Sequence, residues 1–96
     1  MDQIDRVIHE PVRLRALTLL SSVKAAEFSF ILKVLGLTNG NLSVHMRKLE
    51  EAGYVAVTKE FAGRVPRTTY AITSTGRDAL RTYWATMERL RKRAKG

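Results

Sequence analysis

Hydrophobic positions follow a helical rhythm through the first half of the chain, a strand-like alternation after it, and a helical rhythm again to the end. Val12, Ala16, Leu19, Leu20 and Val23 recur at the spacing of one helix face, and Pro11 suits a first turn, so a first helix is expected to run to about Ser22. Leu14 and Leu17 lie on its other side. Apolar residues on both sides of so short a helix imply a second cover, either the last helix or a second subunit. Ahead of it, Met1 to His9 reads as a short helical or frayed lead-in with a weak stripe of Ile4, Val7 and Ile8 and no assigned function. Behind it, Lys24 to Glu27 is a connector, and Ser29 is a candidate cap for a second helix in which Phe28, Ile31, Leu32 and Leu35 repeat on one face. Phe28 and Phe30 read as core aromatics.

The next stretch, LGLTNGNLSVHMRKLEEAGYV from Leu35 to Val55, organises the rest. Gly36 closes the preceding helix, Leu37 anchors the turn, and Thr38 is an N-cap whose hydroxyl can accept a free backbone N–H of a helix starting near Asn39. At 100° per residue Leu42, His45, Met46 and Leu49 share one side, and Gly40, Val44, Arg47, Lys48 and Glu51 the other. The outward side has short side chains near its N-terminus and cations further on. That order fits a helix entering a DNA major groove, with base edges ahead and phosphates beside it. Gly53 ends the helix, and the pair of helices with its short turn makes a helix-turn-helix pattern.

Tyr54 to Phe61 and Thr68 to Thr73 are rich in β-formers and predict a hairpin in which Tyr70 and Ile72 are core positions. Its expected tip, Ala62-Gly63-Arg64-Val65-Pro66-Arg67, has a glycine for a turn, a proline unsuited to a central strand, and two arginines with little apolar surface to cover. Thr73, or Thr75 with Asp78, can cap a last helix running to about Ala94. That helix would be roughly 30 Å long, more than one small core needs, with Leu80, Tyr83, Trp84, Met87 and Leu90 in a stripe. An intramolecular core accounts for Leu80 and Tyr83 more readily than for Met87 and Leu90.

The ordered combination of LGLT, LS, RKLEEAGYV and then GR, PRTTY, IT and GR resembles the winged helix-turn-helix of small MarR/ArsR-like transcription regulators, over roughly Pro11 to Leu80. The resemblance implies a mainly α fold with a small β-hairpin and a long C-terminal dimerisation helix: a single domain, 1–96, with core and wing in 10–73 and the helix in 74–95. It implies a recognition helix whose DNA-facing residues are Thr38, Asn39, Gly40, Asn41, Ser43, Val44, Arg47 and Lys48. A wing placing Arg64, Arg67 and Thr68 on DNA backbone or minor groove is also implied, against the alternative of a solvated hairpin end. The terminal helix of such relatives pairs with its symmetry mate, which makes Leu14, Leu17, Leu80, Tyr83, Trp84, Met87 and Leu90 candidates for a dimer interface.

Composition sharpens this picture. Seventeen Lys and Arg against nine Asp and Glu give a formal charge of +8, so an anionic partner, nucleic acid or a membrane surface, is expected. The excess is uneven: residues 1–37 carry net +1, 38–73 net +2 and 74–96 net +5, the last reading as a solvated helix end favourable to the helix dipole. No apolar run reaches the roughly 18 residues of a membrane span and the N-terminus is acidic, so a soluble, cytoplasmic and nucleoid-associated protein is expected. The absence of cysteine excludes disulfides, thiolate metal sites and cysteine nucleophiles. His9 and His45 are far apart with no marked catalytic partner, so neither an enzyme, a metal site nor a cofactor is expected.

The expected function is a homodimeric, sequence-specific double-stranded-DNA-binding regulator, a repressor acting on a pseudo-palindromic operator. The alternatives are a winged helix used for protein contact, and non-specific DNA or RNA binding through the basic C-terminal end. No effector is specified by the sequence.

Overall fold

Glu10 and Pro11 start the first helix together: the proline sits where no intrahelical N–H is required, and the Glu10 carboxylate accepts from Arg13 N at 2.7 Å. In the computed structural model, which describes residues 3–95, this α1 spans Pro11–Ser21. It is followed by β1 (Ala26–Glu27), α2 (Phe28–Leu35), α3 (Asn39–Glu51), β2 (Val55–Ala62), β3 (Val65–Ile72) and α4 (Ser74–Lys95). Four helices and a three-stranded antiparallel sheet of order β1-β3-β2 make the expected winged helix-turn-helix. No helix among the described residues is long and apolar enough to cross a membrane.

One core serves all the elements. Ala16, Leu17 and Leu20 of α1, Ile31 and Leu35 of α2, Leu42, Met46 and Leu49 of α3, Val55, Tyr70, and Leu80 and Tyr83 of α4 are buried together. The apolar residues on both sides of α1 are thereby explained: α1 is enclosed by α2, α3, α4 and the sheet. Leu17, expected at a dimer seam, has no exposed surface. Leu80 and Tyr83 are likewise buried within the protomer, so these three of the expected seam residues keep little or no surface for a partner.

The lead-in is part of the fold. Ile8 is fully buried, and Asp5 Oδ1 accepts from the N–H groups of Val7 and Ile8 at 2.9 and 3.2 Å. Asp5 Oδ2 accepts from the Tyr54 hydroxyl, which tethers this segment to the turn after α3. Met1 and Asp2, also placed in the lead-in by sequence, lie outside the described residues.

Three other local expectations are corrected. The connector contains β1, whose Ala26 and Glu27 pair with Tyr70 and Thr69. Helix α2 begins at Phe28, after extended Glu27 and without a side-chain cap, so Ser29 lies inside it. Phe28 packs at the core edge with its ring 6.3 Å from that of Tyr70, but Phe30 is 49% exposed on the outer side of α2.

Helix α4 is fixed at its start. Thr73 Oγ1 accepts from Gly76 N at 2.9 Å and donates to Gly53 O at 2.7 Å, while Thr73 N donates to Tyr54 O at 3.0 Å. Thr73 is therefore the cap, and Asp78 instead pairs with Arg81. A β-carbon on Gly76 would stand 2.2 Å from the Tyr54 carbonyl oxygen, so only glycine allows this close approach of α4 to the turn.

Candidate nucleic-acid interface

Thr38 sets the start of α3 as the sequence requires: its backbone is extended and its Oγ1 accepts from Asn41 N at 3.3 Å. Leu42, Met46 and Leu49 then turn into the core. Their periodicity leaves Asn39, Gly40, Asn41, Ser43, Val44, Arg47 and Lys48 exposed along the opposite side. Ser43 spends its hydroxyl proton on Asn39 O at 2.7 Å, leaving oxygen lone pairs to accept from outside.

His45 lies between the two sides and holds the helix in place. Arg13 Nη1 of α1 donates to its Nδ1 at 2.9 Å, which leaves the ring proton on Nε2. Glu10 Oε1 stands 3.6 Å from the same nitrogen, and Arg13 also donates through Nε to Val7 O. The histidine is thus bonded to the start of α1, and through Arg13 linked to the lead-in, away from the exposed face of α3.

The wing differs from the expected hairpin in its register. Strands β2 and β3 pair from Val55 with Ile72 out to Ala62 with Val65, leaving only Gly63 and Arg64 in the turn. Gly63 takes a φ of 67°, the left-handed conformation a tight turn needs and a glycine tolerates. Pro66 and Arg67, expected at the tip, belong to β3. Proline is accommodated there because β1 pairs only with Thr69 and Tyr70, leaving that edge of β3 open beside Pro66.

Alternation along the strands sorts the wing cations into three positions. Val55, Val57, Lys59 and Phe61 share one sheet face with their partners Ile72, Tyr70, Thr68 and Pro66. Arg67 points to the other face, where its Nε is 2.7 Å from Glu27 Oε1. Arg64 is exposed in the turn. Of the two arginines expected to approach DNA as a pair, one is exposed at the tip with no ion-pair partner among the described residues, and one is in an ion pair at the sheet's far side.

Between α3 and the wing lies an open groove of about 290 Å³, lined by Ser43, Arg47 and Glu50 of α3, Phe28 of α2, and Val57, Lys59, Thr68 and Tyr70 of the sheet. Burial, and then the Glu50 carboxylate, raise the pKa of the Tyr70 phenol, keeping a neutral hydroxyl at the groove. Arg47 and Lys59 supply cations from its two walls, with Ser43 and Thr68 beside them. Lys59 was not among the residues singled out by sequence. The signal was present: counting by twos from core Val55 through Val57 reaches Lys59 on the side facing α3.

The stripe on α4 divides. Gly76, Leu80, Tyr83 and Thr86 face inward, whereas Trp84 is 49% exposed with its ring edge-on to Tyr83, and Met87 and Leu90 are half-buried. Together with half-buried Leu14, these are the expected seam residues that retain surface for a partner. At the helix end Arg91 pairs with Glu88 at 2.6 Å.

Comparison with known proteins matches this architecture. A family model described as a winged helix DNA-binding domain matches residues 12–91. An uncharacterized protein of Methanocaldococcus jannaschii is 39% identical over 79 residues, covering 81% of this chain and 85% of that protein. The structure of a transcriptional regulator homologue from Pyrococcus horikoshii OT3 superposes with a TM-score of 0.84 at 36% identity, covering 92% of this chain and 87% of the other. A MarR-family transcriptional regulator from Silicibacter pomeroyi shares the fold, with a TM-score of 0.68 at 20% identity over 92% of this chain and 58% of its own.

Proposed function

Because this chain belongs to the winged helix DNA-binding domain family, we propose that it is a sequence-specific transcriptional regulator, a repressor, that binds a pseudo-palindromic operator as a homodimer. The observation that carries this reading is the groove between α3 and the wing, with Arg47 on one wall and Lys59 on the other. A helix inserted in the major groove has a phosphodiester strand along its flank, and a channel beside the exposed face of α3 with a cation on each wall, against the one carboxylate of Glu50, suits that strand. In this reading Asn39, Asn41, Ser43 and Val44 approach base edges, Arg47 reads guanine or holds phosphate, and Lys48, Lys59 and Arg64 hold phosphate. Trp84, Met87 and Leu90 of α4, with Leu14, form the seam that pairs two copies.

The test is selection from a random-sequence duplex pool followed by fluorescence anisotropy on the recovered sequence. The parent should prefer the recovered duplex over scrambled DNA by at least about a thousandfold. An Asn41→Ala, Val44→Ala, Arg47→Ala protein should lose most of that preference while keeping salt-sensitive binding to any duplex. Unchanged preference in the triple variant would remove α3 as the reading element. Equal binding to RNA and random DNA by the parent would favour the basic C-terminal end instead.

A further inference from the structure

The end of the wing carries an apolar surface that phosphate contacts do not use. Phe61 is 72% exposed, and cross-strand register places it directly opposite exposed Pro66. Both belong to the sheet face that lines the groove beside α3, two rungs beyond Lys59 and Thr68 and separated from the Gly63-Arg64 turn by the Ala62–Val65 pair. Going outward, this face of the wing presents a cation and then an aromatic ledge, and the turn beyond it adds the exposed Arg64.

An uncovered phenylalanine on an edge strand is a liability in a soluble hairpin, and β2 is such an edge. Lys59 and Arg64 on either side of the ledge define its occupant: a surface with anions at intervals and apolar material between them. The wall of a DNA minor groove has that make-up, with phosphates outside and deoxyribose C–H groups within. An anionic membrane also combines charge with apolar material. Continuity of the ledge with the channel walled by Arg47 and Lys59 favours DNA, because one strand leaving the channel passes directly onto the ledge.

We propose that Phe61, backed by Pro66, packs on the deoxyribose wall of the minor groove adjoining the major groove entered by α3, and so supplies affinity that does not depend on salt. This rests on the DNA-binding reading above. Apolar contact displaces no counterions, whereas each phosphate contact does. The two kinds of wing residue therefore separate in one experiment.

Affinity for the duplex selected by the parent is measured by anisotropy at several salt concentrations for the parent, Phe61→Ala, Phe61→Leu and Arg64→Ala, with a thermal melt of each. Phe61→Ala should bind roughly tenfold more weakly at every salt concentration with the parent's slope of log K against log salt. Phe61→Leu should recover most of the loss, and Arg64→Ala should make the slope shallower. Parent-like affinity in Phe61→Ala overturns the proposal. So does a loss accompanied by a lower melting temperature and a shallower slope, since the ring would then be holding the hairpin and its cations in place. Binding of phosphatidylserine vesicles that requires Phe61, with DNA affinity unaffected by its removal, would assign the ledge to a membrane. Failure of the parent to select any duplex is a separate result, which removes the DNA-binding reading itself.

Discussion

Arg67 and Glu27 face each other across the sheet, guanidinium Nε to carboxylate at 2.7 Å, both about half exposed. The pair joins the wing strand to the residue preceding α2, so β3 is tied to the helix-turn-helix by a side-chain contact as well as by two rungs of β1. It also partly neutralises a cation that the wing sequence offers to DNA. Such a pair contributes little stability in water, so its main effect falls on charge.

The wing cations should therefore differ in their salt dependence. Arg64→Ala removes an exposed tip cation and, if the chain binds as the proposed dimer, should make the slope of log K against log salt shallower by about 2. Arg67→Ala should change it less, and Glu27→Ala should tighten binding by freeing Arg67. Anisotropy titrations across a salt series decide the order. Equal slope changes for the two arginine variants would mean that the ion pair opens on DNA.

A pH dependence follows from Tyr54. Burial, then the hydrogen bond to Asp5 and its charge, raise the phenol from 10.0 to about 12. The folded state thus holds the proton more tightly than the unfolded chain. The resulting stabilisation is present in full below pH 10 and is lost as pH rises toward 12. Tyr54→Phe should lower stability by about 1 kcal/mol at neutral pH. The gap between the two proteins should narrow between pH 10 and 12 in denaturant titrations. A gap that stays constant over that window would separate Tyr54 ionisation from folding.

Gly76→Ala should destabilise even though alanine is normally the better helix residue. The added methyl would stand 2.2 Å from a backbone carbonyl that cannot swing aside as a side chain can. A loss of roughly 1–3 kcal/mol is expected from such overpacking. A thermal melt at or above the parent's would show that α4 has room at its start.

Leu17 and Trp84 distinguish core from seam. Leu17→Ala should lower stability by about 2–5 kcal/mol, as for other large-to-small core changes. Trp84→Glu should leave the monomer fold close to the parent's while weakening association, because a charge would enter the paired surface. Light scattering over a concentration series with parallel melts reads both effects. A parent chain that is monomeric at high micromolar concentration would remove the seam.

These contrasts show where sequence is informative. Helix α3 was legible because its two sides differ in chemistry: Leu42, Met46 and Leu49 can only go inward, and Arg47 and Lys48 outward. Helix α1 was less so, since Leu14, Leu17, Leu19 and Leu20 surround it and periodicity cannot say what covers each. Strand β1 has only Ala26 and Glu27, too short for any alternation to register. The hairpin was legible but its turn was not: Pro66 argued against a strand, and the open edge beside it is a property of the sheet. Asp5 and Tyr54 are 49 positions apart, and their bond depends on the fold bringing the lead-in past the end of α3.

The two hydrogen bonds from Thr73 to the Gly53-Tyr54 turn have a mechanical consequence. They clamp the start of a 22-residue rod to the turn that ends α3, with Gly76 pressed against the same turn. A tilt of the rod must either break the clamp or swing α3 with it. Over a length of roughly 33 Å, small displacements at the far end become smaller, geared rotations at the near end. In the proposed homodimer, the way two such levers cross would set the distance between the two α3 helices.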